Sequence, residues 1–162
     1  MKTIFEKIID GEIQCNRVYE NEHVLAFLDV APLSVGHTLV IPKESVSSLH
    51  ELTPECGAAL GEALVTVSKA IVKATGVSEY NILQNNGKLA HQAVFHVHFH
   101  IIPKPSDQSG LSIVWNATEL DDGARYCFPP SWHTHSVKHF FCNTLDWFQC
   151  IPQYFKTLLI FL

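Results

Sequence analysis

Apolar and polar positions alternate through the first quarter of the chain in short runs broken by turn-forming residues. Arg17-Val18-Tyr19-Glu20, Val24-Leu25-Ala26-Phe27-Leu28-Asp29 and His37-Thr38-Leu39-Val40-Ile41-Pro42 are rich in β-branched or aromatic residues and are bounded by Asn, Pro or Gly. Such side chains pack well on a pleated surface, so each run is predicted as a short strand and the three together as an antiparallel meander. The period changes after Thr53-Pro54-Glu55. Threonine is a good N-cap, proline fits the first helical position, and glutamate complements the positive end of a helix dipole. Leu60, Leu64, Val67, Ile71 and Ala74 then recur at the spacing of one helical face, and Gly76 stands where the helix should end. Tyr80–Asn85 and Val94–Ile102 return to strand character, with a loop over 86–92 between them and Pro103 as a terminator. The expected fold class is α+β, an antiparallel sheet meander with one principal helix covering one face.

Length and composition bound what this domain can do. At 162 residues the chain has room for one compact domain, and 47% hydrophobic with 17% charged residues lies in the globular range. A formal charge of -5 argues against a polynucleotide partner. The first residues mix Lys2, Glu6 and Lys7 with apolar ones, unlike a secretory leader. Five cysteines, an odd set without CxxC spacing, fit reduced thiols in the cytoplasm or nucleus. The longest apolar run, over 157–162, is far shorter than a membrane span of about 20 residues, so no membrane partner is expected. Charge thins abruptly after Arg125: residues 126–162 hold Lys138, Asp146 and Lys156 against 24 charged residues before them. The expected division is a functional domain over 1–125 and an atypical hydrophobic tail over 126–162.

The chemistry concentrates in His96-Val97-His98-Phe99-His100-Ile101-Ile102. On a strand, alternate side chains share a face, so the three histidines should line one edge of a cleft while Val97, Phe99 and Ile101 enter the core. Imidazole titrates near neutrality and can act as nucleophile, proton donor or metal ligand. A closed zinc site would need a fourth ligand, and none is local; His91 falls in the preceding loop. That loop, Gln84-Asn85-Asn86-Gly87-Lys88-Leu89-Ala90-His91-Gln92, offers amides that donate to phosphate oxygens and a glycine that permits close backbone approach.

Together these features resemble the histidine-triad family, whose signature of three histidines alternating with apolar residues is matched over 96–102 without a gap. The resemblance extends to Thr3–Ile9, Gly11–Ile13, Phe27–Pro32, Gly36–Lys43 and Gly110–Asn116, so most of 1–120 is in register, and it favours the Hint-type branch of nucleoside phosphoramidases. It implies His98 as nucleophile, His96 beside the leaving group, His100 orienting the nucleophile and His37 as the upstream member of a hydrogen-bonded relay. It also implies Asp29 at the ribose, Ile4, Phe5, Ile8, Phe27, Leu28 and Val30 at the base, and Asn85 and Gln92 at the phosphate. By spacing alone, Ile4, Phe5, Ile8 and Phe27 would be core and Asp29 a solvated strand-end carboxylate. The implied substrate is a purine nucleotide conjugate of AMP or GMP, the implied assembly a homodimer, and no cofactor is expected.

Two departures from the family pattern stand out. Some relatives carry a CxxC pair near the N-terminus in a zinc site; here Thr3 and Glu6 occupy those positions, so no structural metal is expected. Glu119-Leu120-Asp121-Asp122 begins like a closing helix, but Tyr126-Cys127-Phe128-Pro129-Pro130 cannot continue one. His133, His135, His139 and Cys142 are too irregularly spaced to favour a metal site. Two alternatives to phosphoramidate cleavage remain open: hydrolysis of diadenosine polyphosphates, and nucleotide binding without effective catalysis.

Overall fold

A computed structural model describes residues 2–117. Met1–Ile113 forms one compact unit. The expected tail over 126–162 lies outside the described residues, as do the helix start at 119–122 and the irregular His/Cys set.

The chain opens with a short helix, α1 (Ile4–Ile9), in a stretch to which the apolar pattern assigned no element. A reciprocal capping box explains it: the Thr3 hydroxyl accepts the Glu6 N–H, and the Glu6 carboxylate accepts the Thr3 N–H. Thr3 and Glu6 thus together cap the helix. Strands β1 (Arg17–Glu20), β2 (Val24–Leu28) and β3 (Thr38–Pro42) follow within a residue of their predicted limits. Helix α2 (Pro54–Thr75) begins at the Thr53 cap, whose hydroxyl accepts the Cys56 N–H, and ends at Gly76 with φ 72°. Its buried face is Cys56, Leu60, Ala63, Val67, Ser68 and Ile71; Ala74, expected on it, is exposed.

The meander runs through β1, β2 and β3, after which β5 (Phe99–Pro103) pairs with β3 and β4 (Tyr80–Gln84) takes the outer edge. All four pairings are antiparallel. Both faces of the sheet are covered. Val24, Ala26, Val40 and Ile101 pack on α2, whereas Leu25, Phe27, Leu39 and Ile41 pack with Phe5 and Ile8 of α1. This explains why β2 and β3 are nearly continuous apolar runs: a strand covered on both sides has no polar face to show.

The strand expected over Val94–Ile102 is regular only from Phe99. The Val97 N–H bonds to the Val46 carbonyl, in the segment after β3, and the His96 N–H folds back on Val94. Hydrogen bonding to that segment replaces the sheet ladder, and the first two histidines sit on an irregular approach to the strand.

Candidate active site

His100 lies on β5 between two neighbouring strands, opposite Leu39 of β3 and Leu83 of β4, on the face turned towards α1. His98 stands at the entrance to β5, and its ring is 5.1 Å from that of His100. The Nδ1 of His98 is 2.7 Å from the His96 carbonyl oxygen. A carbonyl only accepts, so Nδ1 carries the hydrogen and Nε2 is left with its lone pair. Phe5 presses edgewise on the same ring at 5.1 Å, and Phe27 backs Phe5 at 6.0 Å. Burial is the largest influence holding the His98 pKa below its ordinary value, which keeps the imidazole neutral and nucleophilic at physiological pH.

The tautomers of His37 and His100 follow from one main-chain group. The Leu33 N–H donates to His37 Nδ1 at 3.1 Å, so His37 carries its hydrogen on Nε2. That Nε2–H points at His100 Nδ1, 2.9 Å away. His100 in turn keeps its hydrogen on Nε2, as a donor. Burial lowers the pKa of both rings, and the neighbouring His98 and His37 help to take His100 down to about 4. Asp29 stands 3.6 Å from His37 Nε2 and uses its other oxygen to accept the Ala31 N–H.

Asp29, His37 and His100 bring ligand-type atoms within 4.8 Å of one another. Metal coordination through His37 Nε2 would require the hydrogen on Nδ1, where it would face the Leu33 N–H, donor against donor. The geometry therefore favours a proton-ordered relay over a cation site.

His96 requires a correction. It was expected beside the leaving group, but its side chain is fully buried, with Nε2 donating to the Pro42 carbonyl at 2.9 Å and Phe5 edgewise at 5.9 Å. Its main-chain carbonyl is what meets His98 Nδ1. His96 anchors the segment and orients His98 from beneath.

The loop after β4 is internally tied. Gln92 is buried; its amide oxygen accepts the Gly87 N–H and its nitrogen donates to the Ser47 carbonyl, both at 2.7 Å. The Asn85 amide nitrogen faces the carbonyls of Gln84 and Ala90 at 3.3 and 3.2 Å. Both amides thus shape the loop, and Gln92 retains one uncommitted N–H. His91 within it adopts φ 65°, the one positive value at a non-glycine among the described residues.

The expected base-pocket residues divide into two groups. Phe5, Ile8 and Phe27 are buried in the core, whereas Ile4, Leu28 and Val30 are exposed. Sequence reasoning missed α1, although its T-x-x-E box was legible. It also missed the Leu33 N–H, which no pattern of side chains could reveal.

The sequence matches the family model described as HIT domain over residues 10–107. It is 50% identical over 115 residues to the adenosine 5'-monophosphoramidase hnt1 of Schizosaccharomyces pombe, covering 71% of this chain and 84% of the relative. The adenosine 5'-monophosphoramidase HNT1 of Saccharomyces cerevisiae is 46% identical over 118 residues, 73% of this chain and 72% of its own. Among solved structures, the histidine triad nucleotide-binding protein of Candida albicans superposes with TM-score 0.68 at 37% identity, covering 74% of this chain and 87% of that one.

Proposed function

The chain belongs to the HIT domain family, and from that membership we propose that it is an enzyme cleaving purine nucleoside 5'-phosphoramidates, of the adenosine 5'-monophosphoramidate type, through a nucleotidyl intermediate on His98. The observation that carries this reading is the ordered pair of ring nitrogens. His98 Nδ1 is committed to a carbonyl, leaving Nε2 as a lone pair beside His100, whose relay to His37 supplies a donor. Displacement at phosphorus needs both a nucleophile and donors for the non-bridging oxygens.

In the first step the His98 Nε2 lone pair forms a bond to the α-phosphorus, and the phosphorus–amine bond breaks. The amine leaves with the bonding pair and takes up a proton from solvent. Water then attacks the adduct, gives up a proton to solvent, frees the nucleoside monophosphate and returns the lone pair to Nε2. His100 Nε2–H stabilises charge on the phosphoryl oxygens, and the Asn85–Gln92 loop forms the wall around them. Asp29 is assigned to the ribose hydroxyls, and Ile4, Phe5, Ile8, Phe27, Leu28 and Val30 to the base. The test is release of AMP from adenosine 5'-phosphoramidate compared with cleavage of a diadenosine polyphosphate by the same preparation. Preference for the phosphoramidate supports the assignment; preference for the dinucleotide, or binding without turnover, contradicts it.

A homodimer is part of the same proposal. β4 is a sheet edge, and beside it lies a groove of about 430 Å³ lined by Leu64, Val65, Val72, Tyr80 and Ile82. Tyr80, Ile82 and Val65 are 38%, 48% and 55% exposed, an apolar edge that pairing with a second copy would cover. Among the described residues no helix is long and apolar enough to cross a membrane. The free thiols Cys15 and Cys56 support a reducing compartment, cytoplasm or nucleus.

A further inference from the structure

We infer that Ser34 is a positioning residue for the histidine relay, because its hydroxyl fastens the β2–β3 loop to the end of β5 and so holds the Leu33 N–H against His37. This inference rests on the proposed roles of His98, His100 and His37.

The loop between β2 and β3 carries Asp29 and the Leu33 N–H, yet it has little packing of its own. Val30, Leu33 and Val35 are 96%, 48% and 85% exposed. Apart from His37 itself, Ser34 is the buried residue of this loop, at 7%, and its hydroxyl donates to the Pro103 carbonyl at 2.6 Å across 69 residues of sequence. Pro103 lies three residues after His100 on the same strand. The loop is therefore joined to β5 at two points: Ser34 to Pro103, and His37 to His100. Fixing the first sets the distance of the second.

The same carbonyl shows how closely the clamp is built. Gly110, at φ 86°, donates its N–H to the Leu33 carbonyl at 3.1 Å. A Cβ at residue 110 would fall 2.6 Å from the Pro103 oxygen, the one that accepts the Ser34 hydroxyl. Only glycine at this position leaves that oxygen open. Leu33 is thus held at its carbonyl by Gly110 and the next residue by Pro103, which fixes on both sides the segment whose N–H donates to His37 Nδ1.

Releasing that peptide frees the tautomer. If the hydrogen of His37 moves to Nδ1, its Nε2 lone pair faces His100 Nδ1, which must then carry the hydrogen itself. His100 loses the Nε2–H that serves as donor in the site. The cost falls on the chemical step, because Asp29 is held at the β2 end of the loop by its own N–H bond to the His37 carbonyl at 3.0 Å, apart from the Ser34 clamp.

The test is Ser34→Ala in the full chain, observed by ¹⁵N imidazole spectra assigned against His37→Gln, alongside kinetics on adenosine 5'-phosphoramidate. The wild type should show His37 as a single tautomer, with Nδ1 unprotonated and Nε2 protonated. Ser34→Ala should show mixed tautomers, with kcat lowered roughly tenfold to a hundredfold, the scale of a misplaced catalytic group, and KM little changed. Ser34→Cys, close in size but a weaker donor, should fall between the two and provides the readout if the alanine variant does not fold. An unchanged His37 tautomer and unchanged kcat in a folded variant would overturn the inference, even if stability fell. Failure of the wild type to cleave any phosphoramidate would refute the functional reading while leaving the tautomer measurement intact, so the two can fail separately.

Discussion

His98 and His100 are two residues apart, yet their ring nitrogens meet different groups: one Nδ1 faces a peptide carbonyl, the other a histidine N–H. In the proposed mechanism that difference separates nucleophile from donor without any difference in residue type. It also has a consequence for stability. The folded protein holds His100 at about 4, below its ordinary 6.5, so between these values the unfolded chain binds a proton that the folded one does not. Stability should therefore rise with pH across this window and be lost on acidification through it. His37 and His98, lowered in the same direction, add to the slope. Thermal unfolding at about pH 5 should give a lower midpoint than at about pH 7, and His100→Asn should reduce the difference. An equal midpoint at both values would mean that the rings are not buried neutral as described. Activity should likewise persist below the ordinary imidazole pKa before His98 protonates.

At the scale of elements, α1 is the piece on which the surroundings of His98 depend. Its Phe5 touches both His96 and His98, and the helix is held by the Thr3–Glu6 box and by Ser45 donating to Glu6 at 2.8 Å. Thr3→Ala should cost about 1 kcal/mol, measured by urea unfolding, and raise KM for the nucleotide by loosening the Phe5 wall. A loss of stability with KM unchanged would detach α1 from the binding site. Much of this architecture was legible in the sequence: β1 to β4 and α2 declare themselves by period and caps, and the alternation around His100 places its side chain opposite Phe99 and Ile101. What escaped depends on tertiary contacts. The pairing of β5 between β3 and β4 is a long-range choice, and the irregular stretch before Phe99 exists because Val97 bonds to Val46 rather than to a neighbouring strand. The triad spacing pointed to the site but could not show that His96 is buried, since the alternation that would expose it stops short of residue 96.

Over the whole molecule, the β4 edge and the outward face of α2 are proposed to decide assembly. Light scattering should give a dimer mass at micromolar concentration, and Val65→Glu should shift it towards monomer; a monomeric wild type would sink the proposed pairing. Residues 126–162 are proposed to take no part in the chemistry, so truncation after Asp122 should preserve phosphoramidate hydrolysis, whereas lost folding or activity would place that stretch inside the functional domain. The central claim is that His98 forms the bond to phosphorus, and the most direct measurement is the rate of AMP release by His98→Ala beside the wild type on adenosine 5'-phosphoramidate. Turnover should fall by several orders of magnitude while thermal unfolding and AMP binding stay close to wild type. Near-parental turnover in the folded variant would contradict the account.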